Sequence, residues 1–175
     1  KLLKVRGRVL PATESSVVLC AQTKQGIVRG QVEIEKVSGI EKISIDPDNA
    51  QPLIGVVHSI EQADHILYAP GSLFTSLIPV VVIKEISNAL INSKALSTML
   101  LNLSNRGPDT KGMTGNEHVD KVIEHGGRID QVLADVDALK IESNSSYKVE
   151  LRELSKDHEI HDVALLANAL KEIIS

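Results

Sequence analysis

The chain has 175 residues, of which 42% are hydrophobic and 24% are charged, and its formal net charge is −4. This length is typical of one domain with a sizeable core, and we predict a single domain over residues 1–175. The interspersed charges and the small number of aromatic residues (Tyr68, Phe74 and Tyr147) argue against nucleic-acid binding, which needs a basic face or stacking rings. The lone Cys20 excludes an intramolecular disulfide framework and a thiolate zinc site, and it favours a reducing, cytoplasmic setting. No apolar run reaches the roughly 18 residues of a membrane span, so we expect no membrane insertion.

The first third of the chain is rich in short extended segments. Period-two alternation places Val32 and Ile34 inward and Glu35 outward, as in an antiparallel sheet with one solvated face. A cluster of turn-forming residues at 46–49 ends the last segment. The predicted strands cover residues 4–13, 17–23, 27–28, 32–34 and 43–45.

From Pro52 the pattern changes to alternating helices and strands. Thr114 and Glu117 have the spacing of a capping box, and Gly126-Gly127 ends the helix that this box begins. The alternation predicts an α/β fold: a three-layer, Rossmann-like, mostly parallel sheet with helices on both faces, plus the β-rich N-terminal part. Helical spacing covers residues 53–63, 83–90, 119–123 and 163–173 (with Val163 on the buried face), and buried strands are predicted over 65–68, 95–101 and 129–136.

The segment after the first buried strand is the strongest candidate for a binding loop. Pro70 and Gly71 break the strand, and hydroxyl side chains follow at Ser72, Thr75 and Ser76 in the first turn of a helix. Backbone N–H groups at a helix start have no intrahelical partners, and Gly71 allows close approach, so the loop favours an anion such as phosphate. An equally weighted alternative is that Ser72 caps an ordinary turn, because the loop has no lysine, arginine or glycine-rich nucleotide fingerprint.

A second polar loop, residues 102–112, follows the next predicted strand. In a doubly wound sheet, ligands bind outside the carboxyl ends of the strands, at the switch in strand order. Arg106 and Lys111 can neutralise phosphates, and Asn102 and Asn105 can contact a sugar or a base edge. The alternative is a solvated loop with ordinary surface charges. Two such loops at successive strand ends favour a binding site.

The histidines and acidic residues do not define a metal centre. His118 and His125 are two helical turns apart, about 10 Å along the axis, which is too far to share an ion. His158 and His161 are close enough in sequence to share one, but no cysteine joins them, and a surface pair is the simpler interpretation. Asp135-Val-Asp137 projects both carboxylates to one side of a strand and could hold magnesium, although a charged edge is more common. We assign no metal ligand.

The two loops also carry motifs of a known family. Residues 69–79 (Ala-Pro-Gly-Ser-Leu-Phe-Thr-Ser-Leu-Ile-Pro) resemble the Gly-Pro-Gly-Ser-Leu-Tyr-Thr-Ser-Ile-Ile-Pro stretch of the 2-phospho-L-lactate transferase-like family. Within that family they are most similar to the bacterial gluconeogenesis factor branch. Residues 6–11 resemble that branch's Arg/Lys-Gly-x-Val-Leu-Pro strand. Further matches to its motifs are Asn102, Gly112, Thr114, His118 and His161-Asp162.

The chain departs from the family pattern at several of these positions. Phe74 stands where the family has Tyr, and Leu101 where it has Cys. Glu117 replaces Asp, and Ile160 replaces Arg. The family's N-terminal glycine-rich segment, which cradles the nucleotide, is absent from the sequence. We therefore expect this chain to be the C-terminal portion of a longer family domain.

The resemblance implies two functional classes. In the first, the protein is a cytoplasmic, non-enzymatic binder of a nucleotide-sugar such as UDP-N-acetylglucosamine, and it regulates cell shape and envelope metabolism during gluconeogenic growth. In the second, it is an enzyme that moves a phosphoester group from a guanosine diphosphate-linked donor onto a deazaflavin. We favour the first, because the loop is like that of the regulatory branch. In addition, the two rings near the glycine turn, Tyr68 and Phe74, are few for the stacking of a deazaflavin.

Loop chemistry and resemblance together imply a site for a nucleotide-sugar or another nucleoside diphosphate-linked small molecule. Mg²⁺ is a candidate cofactor and a homodimer a candidate assembly, but the residues specify neither, and no catalytic residue is assigned. The expected contacts are the diphosphate at Gly71, Ser72, Thr75 and Ser76, the nucleotide or sugar at Asn102, and screening of charge by Arg106.

Overall fold

The structure, a computed structural model, describes residues 7–105 and 107–174 and contains two β-sheets. The strands are β1 (Val18–Thr23), β2 (Gly26–Arg29), β3 (Ile40–Asp46), β4 (His65–Tyr68), β5 (Leu96–Leu100), β6 (Gln131–Asp135) and β7 (Lys148–Arg152). The helices are α1 (Gln31–Ile34), α2 (Val56–Glu61), α3 (Ile78–Val81), α4 (Lys84–Asn92), α5 (Gly115–Glu124) and α6 (Val163–Ile174). A π-helical turn (Leu73–Leu77) precedes α3, and a 3₁₀ turn (Pro108–Thr110) precedes α5.

The larger sheet is parallel, in the order β4-β5-β6-β7, and has helices on both faces. Met99 of β5 lies opposite Val132 of β6, and the next pair is Leu100 opposite Leu133. Met99 and Val132 belong to the main core with residues of α4 and α5, whereas Leu100 and Leu133 pack with Ala169 of α6. Successive strand residues point to opposite faces, so α6 and the α4–α5 pair lie on opposite sides of the sheet. The predicted three-layer α/β fold is confirmed, although the strand order follows the chain without a reversal.

The smaller sheet is antiparallel, in the order β2-β1-β3, and it confirms most of the predicted β-rich part. The predicted strand at 32–34 is wrong, because residues 31–34 form the single helical turn α1. Ile34 is buried as expected, but Val32 is 64% exposed. So short a segment cannot distinguish an alternating pattern from a helical one. Of the predicted strand 4–13, residues 4–6 lie outside the described residues, and Thr13 makes only an isolated bridge to Pro52.

Three further differences from the predicted elements concern β7, α6 and α2. Strand β7 was not predicted, because Lys-Val-Glu-Leu-Arg is a partly buried edge strand with little apolar signal. Val163 was predicted to face inward but is 84% exposed, since it is the first residue of α6. Helix α2 begins at Val56 and is shorter than the predicted 53–63.

Helix α5 forms as its local sequence predicts. The Thr114 hydroxyl accepts a hydrogen bond from the Glu117 N–H at 3.2 Å, and the Glu117 carboxylate accepts one from the Thr114 N–H at 2.6 Å. This capping box satisfies two backbone donors at the helix start. Val119 and Val122 are fully buried, and Gly126, with φ 102°, follows the helix end. The capping box therefore fixes where α5 begins, and with it the end of the 102–112 loop.

Taken singly, the helices in the described parts of the chain are too short or too polar to cross a membrane. Among the described residues, one bent pair of helical segments, Leu73–Val81 and Lys84–Asn92, is long and apolar enough when taken together, and the two segments meet at 76°.

Candidate functional site

The glycine loop lies at the carboxyl end of β4 and opens a helical segment, as predicted. The Ser72 carbonyl accepts hydrogen bonds from the N–H groups of Ser76 and Leu77, at 3.0 and 3.1 Å. Leu73 and Phe74 are buried and anchor the turn in the core. The N–H groups at the start of such a segment lack intrahelical partners and are directed outward from the strand end. The loop therefore presents donors to the space beyond β4.

Ser72 occupies the N-cap position, but its side chain does not cap the helix. Its hydroxyl oxygen lies 2.7 Å from the Thr75 hydroxyl, which is also 3.1 Å from a carboxylate oxygen of Glu35. Glu35 directly follows α1, so the smaller sheet contributes a charged group to the site. This contact could not be predicted from the sequence, because the predicted strand at 32–34 placed Glu35 on a solvated face.

The side chain of Asn102 holds the glycine loop. Its Oδ1 accepts a hydrogen bond from the Gly71 N–H at 3.1 Å, and its Nδ2 donates to the Gly71 carbonyl at 2.9 Å. Both polar atoms of the carboxamide are thus bonded to the backbone of Gly71, and the Gly71 N–H is not free for a phosphate. Asn102 is a positioning residue that joins the loop after β5 to the loop after β4.

Replacing Asn102 with alanine is expected to remove both hydrogen bonds and lower the free energy of unfolding by about 1–2 kcal/mol. The glycine loop loses its tether, so we also expect the affinity for any ligand that this loop holds to fall roughly tenfold. Urea denaturation and calorimetric titration measure the two effects. Asn92→Ala is the matched control, because Asn92 is exposed and bonds only within α4. Equal results for the two variants would contradict the positioning role.

The rest of the second loop is held by a buried histidine. His118 Nε2 lies 2.7 Å from Asn105 Oδ1, and Asn105 Nδ2 donates to the Met113 carbonyl. His118 is only 1% exposed, and its Nδ1 has no partner among the described residues. Burial lowers the pKa of His118 to about 4, so the ring is neutral and donates through Nε2–H. Asn105 is therefore occupied in tethering its own loop and does not have its amide free for a ligand.

The two loops enclose a cleft of about 550 Å³, a size that suits a small-molecule ligand. Its wall includes three carboxylates and a histidine, and of these only Asp109 belongs to a predicted loop. Burial, and next the nearby charge of Glu35, raise the pKa of Asp109. The lining includes Gly71, Ser72, Asn102, Glu35, Asp109, Glu159 and His161.

The structure does not bring all the predicted contact residues to this cleft. Thr75 is buried behind Ser72, and its hydroxyl bonds to residues that line the cleft. Ser76 faces a neighbouring apolar pocket between β4 and α2. Arg106 lies outside the described residues. Lys111 is exposed and does not line the cleft.

The other candidates for metal or acid–base chemistry have structural partners. His125 donates through Nδ1 to the Lys121 carbonyl at 2.6 Å and accepts from the Ile43 N–H at 2.9 Å, which ties α5 to β3. The prediction that Asp135 and Asp137 project to one side of a strand is wrong, because β6 ends at Asp135. Within the described part of the chain, no three histidine, cysteine or acidic side chains are grouped for metal binding.

Asp135 is buried and serves the backbone. Its carboxylate accepts hydrogen bonds from the N–H groups of Leu154, at 2.7 Å, and Asp137, at 3.0 Å. These bonds join the end of β6 to the segment after β7. Sequence spacing could not show this, because the Leu154 partner is distant in the chain.

Known proteins resemble this chain in sequence and in fold. The sequence model of the CofD family, described as 2-phospho-L-lactate transferase CofD, matches residues 1–174. The gluconeogenesis factor homologue of Clostridium acetobutylicum is 40% identical over 135 residues, which are 73% of this chain and 30% of that protein. The gluconeogenesis factor of Bacillus subtilis is 32% identical over 154 residues, 86% of this chain and 49% of that protein.

A crystal structure of a UPF0052 family member from Bacillus halodurans has the same fold, with a TM-score of 0.85 and 24% identity. The superposition covers 97% of this chain and 63% of that one. The chain spans 30% of the length of the Clostridium acetobutylicum relative and 49% of the length of the Bacillus subtilis relative. The family match over residues 1–174 and the shared loop motifs lead to one conclusion: this chain belongs to the CofD family and is homologous to the bacterial gluconeogenesis factors.

Proposed function

We propose that this chain supplies much of the binding cleft of a cytoplasmic, non-enzymatic nucleotide-sugar sensor that regulates cell shape and envelope metabolism during gluconeogenic growth. The observation that carries the proposal is the cleft between the glycine loop and the second loop, which Asn102 joins through Gly71. The ligand is a UDP-sugar, with its diphosphate at the glycine loop. Relatives named as gluconeogenesis factors support the regulatory role.

The chemistry of the cleft suits a ligand that carries both phosphates and hydroxyls. Helix-start N–H groups and the Ser72 hydroxyl are donors for the diphosphate. Glu35, Asp109 and Glu159 are acceptors that suit the hydroxyl groups of a sugar or ribose. A nucleotide-sugar has phosphate acceptors and hydroxyl donors within one molecule. The donors of the glycine loop match the phosphates, and the carboxylates of the cleft match the hydroxyls.

The acidic wall also means that the charge of the diphosphate must be neutralised. Arg106 and Lys111 belong to the second loop and can provide positive charge. Mg²⁺ is the second source: Glu35 and Asp109 offer the oxygen ligands that it prefers, and the ion commonly binds one or two carboxylates together with substrate phosphates. No complete protein site exists among the described residues, so the ion would be bound jointly with the ligand.

The alternative is transfer of a phosphoester group from a guanosine diphosphate-linked donor to a deazaflavin, and the family description favours it. Stacking of a deazaflavin requires an exposed ring. All three aromatic residues of this chain are buried: Phe74 is 0% exposed, Tyr147 2% and Tyr68 7%. This chain therefore provides no exposed aromatic ring for the acceptor, although Tyr68 and Phe74 flank the glycine turn, and the binding role is the better supported.

Calorimetric titration of the full-length protein with UDP-N-acetylglucosamine, with and without Mg²⁺, tests the proposal. Replacing both Ser72 and Thr75 with alanine is expected to weaken binding by about 10- to 100-fold, because the bond from the Ser72 hydroxyl to a charged phosphate contributes about 1.5–3 kcal/mol and the Thr75 hydroxyl positions Ser72. Ser59→Ala is the control, since Ser59 lies on α2 and bonds within that helix. Unchanged affinity in the double variant would return the glycine loop to a purely structural role.

An assay of deazaflavin turnover with the guanosine diphosphate-linked donor separates the two functions. The sensor is expected to give no product above the uncatalysed background while it binds UDP-N-acetylglucosamine. Robust product formation, or binding of guanosine diphosphate without binding of the UDP-sugar, would overturn the proposal in favour of the transferase.

A further inference from the structure

Three side chains, Ser72, Thr75 and Glu35, are linked by hydrogen bonds at the wall of the cleft, and we call them the hydroxyl relay. The Thr75 hydroxyl oxygen lies 2.7 Å from the Ser72 hydroxyl and 3.1 Å from Oε1 of Glu35. Thr75 is only 7% exposed, whereas Ser72 and Glu35 both line the cleft. The buried Thr75 hydroxyl therefore connects two groups that a ligand can contact.

The chemistry of the three groups fixes the direction of the hydrogen bonds in the relay. A hydroxyl has one hydrogen, so Thr75 can donate to only one neighbour, and a carboxylate can only accept. Both contacts are hydrogen bonds at the same time only if Thr75 donates to Glu35 and Ser72 donates to Thr75. In this direction the Ser72 hydrogen is directed at Thr75, and Ser72 offers the cleft only the lone pairs of its oxygen.

Binding of a phosphate at Ser72 requires the opposite direction. The oxygens of an ionised phosphate accept hydrogen bonds and cannot donate, so Ser72 has to supply the hydrogen. Thr75 then has to donate to Ser72, and Glu35 loses its Thr75 donor. The Gln31 amide also donates to this Glu35 oxygen, but over a long 3.4 Å. The carboxylate therefore needs another partner when a phosphate binds beside it.

We propose that Glu35 controls, through Thr75, whether Ser72 accepts or donates, and that Ser72 binds a phosphate when a divalent cation bound with the diphosphate contacts Glu35. The inference rests on the proposed function and adds to it the residue that couples the cation to the phosphate. Carboxylate oxygens are ligands that Mg²⁺ prefers, so the cation takes the place of the Thr75 hydrogen at Glu35. Thr75 can then donate to Ser72, and Ser72 to the phosphate. Glu35 is in this sense a positioning residue for the Ser72 hydroxyl.

The test compares the affinity for UDP with and without Mg²⁺, by calorimetric titration of the full-length protein and three variants. Glu35→Gln introduces an amide that can donate to Thr75, so Ser72 can donate to a phosphate without the cation. Thr75→Val keeps the shape of the side chain but has no hydroxyl, so it disconnects Ser72 while the charge of Glu35 remains. Glu33→Gln is the control, because Glu33 is exposed on α1 and pairs with Lys36.

We expect Mg²⁺ to raise the affinity for UDP at least about tenfold in the unmodified protein and in Glu33→Gln, since a hydrogen bond to a charged group depends on the cation. The gain should fall to about threefold or less in Glu35→Gln and in Thr75→Val, because neither variant needs the cation to direct the Ser72 hydrogen into the cleft. Thr75→Val distinguishes the relay from simple charge repulsion. If Glu35 only repelled the phosphate, Thr75→Val would keep the full gain.

The outcomes separate this inference from the proposed function. If the unmodified protein binds neither UDP nor UDP-N-acetylglucosamine in the presence of Mg²⁺, the proposed function is wrong and the relay has no ligand. If it binds them but Mg²⁺ has no effect, or if Thr75→Val keeps the full gain, only the coupling role of Glu35 and Thr75 is overturned. An unchanged gain in Glu35→Gln overturns it as well, and this exposed position can be changed without risk to the core.

Discussion

Replacing Phe74 with alanine is expected to lower the free energy of unfolding by about 3–5 kcal/mol, the range for removing a buried aromatic ring. Phe74 is 0% exposed and belongs to the main core, together with Leu73 and Ile78 of the same helical segment. The ring fastens the glycine loop to the body of the protein. Urea denaturation measures the loss, and Phe74→Leu, which keeps most of the apolar volume, should lose clearly less.

The same substitution has a consequence for binding. Ser72 and Thr75 lie within two residues of Phe74, so loosening the ring displaces the Ser72 hydroxyl that we assign to the diphosphate and the Thr75 hydroxyl that bonds to it. We expect Phe74→Ala to lose UDP-N-acetylglucosamine binding even at temperatures where most of the protein remains folded. A loss of stability below about 1 kcal/mol, with normal binding, would show that Phe74 is not the anchor of the loop.

Acidification is expected to destabilise the protein between about pH 6.5 and pH 4 through His118. The pKa of His118 is about 4 in the folded protein and 6.5 as its ordinary value, which we take for the unfolded chain. Above pH 6.5 both states are neutral and the full stability is present. As the pH falls, only the unfolded state binds the proton, and stability falls by about 1.4 kcal/mol per pH unit. The total from His118 is about 3 kcal/mol, and the contribution levels off below pH 4.

Other groups modify this profile in known directions. Burial also lowers the pKa values of His125 and His161, so they add to the loss on acidification. The raised pKa of Asp109 acts in the opposite sense, because its folded form takes up a proton more readily. The variant His118→Gln isolates the contribution of His118 to the pH dependence of stability, since glutamine can still donate to Asn105 but does not titrate. Denaturation midpoints measured across this pH range should fall less steeply in the variant, and an identical slope would contradict the assignment.

Much of the fold could be predicted because its determinants are local. The runs that form β4, β5 and β6 are short, apolar and bounded by turn residues, and a buried parallel strand has this pattern in any context. The capping box of α5 lies within four consecutive residues, so its sequence is nearly sufficient to specify it. Strand β7 and the turn α1 were not predicted correctly, because their local sequence patterns are weak. Their structure depends on contacts with neighbouring elements.

The candidate site shows the same difference between local features, which could be predicted, and contacts between distant residues, which could not. Local patterns in the sequence were sufficient to predict a glycine turn after β4 and a polar loop after β5, and to match both motifs to one family. The roles of those side chains depend on the tertiary structure, which pairs Asn102 with Gly71 and sets Glu35 beside Thr75. The two pairs are separated by 31 and 40 residues in the chain. Hydrogen-bond partners at such separations depend on how the sheets and helices pack, which no local pattern of residues records.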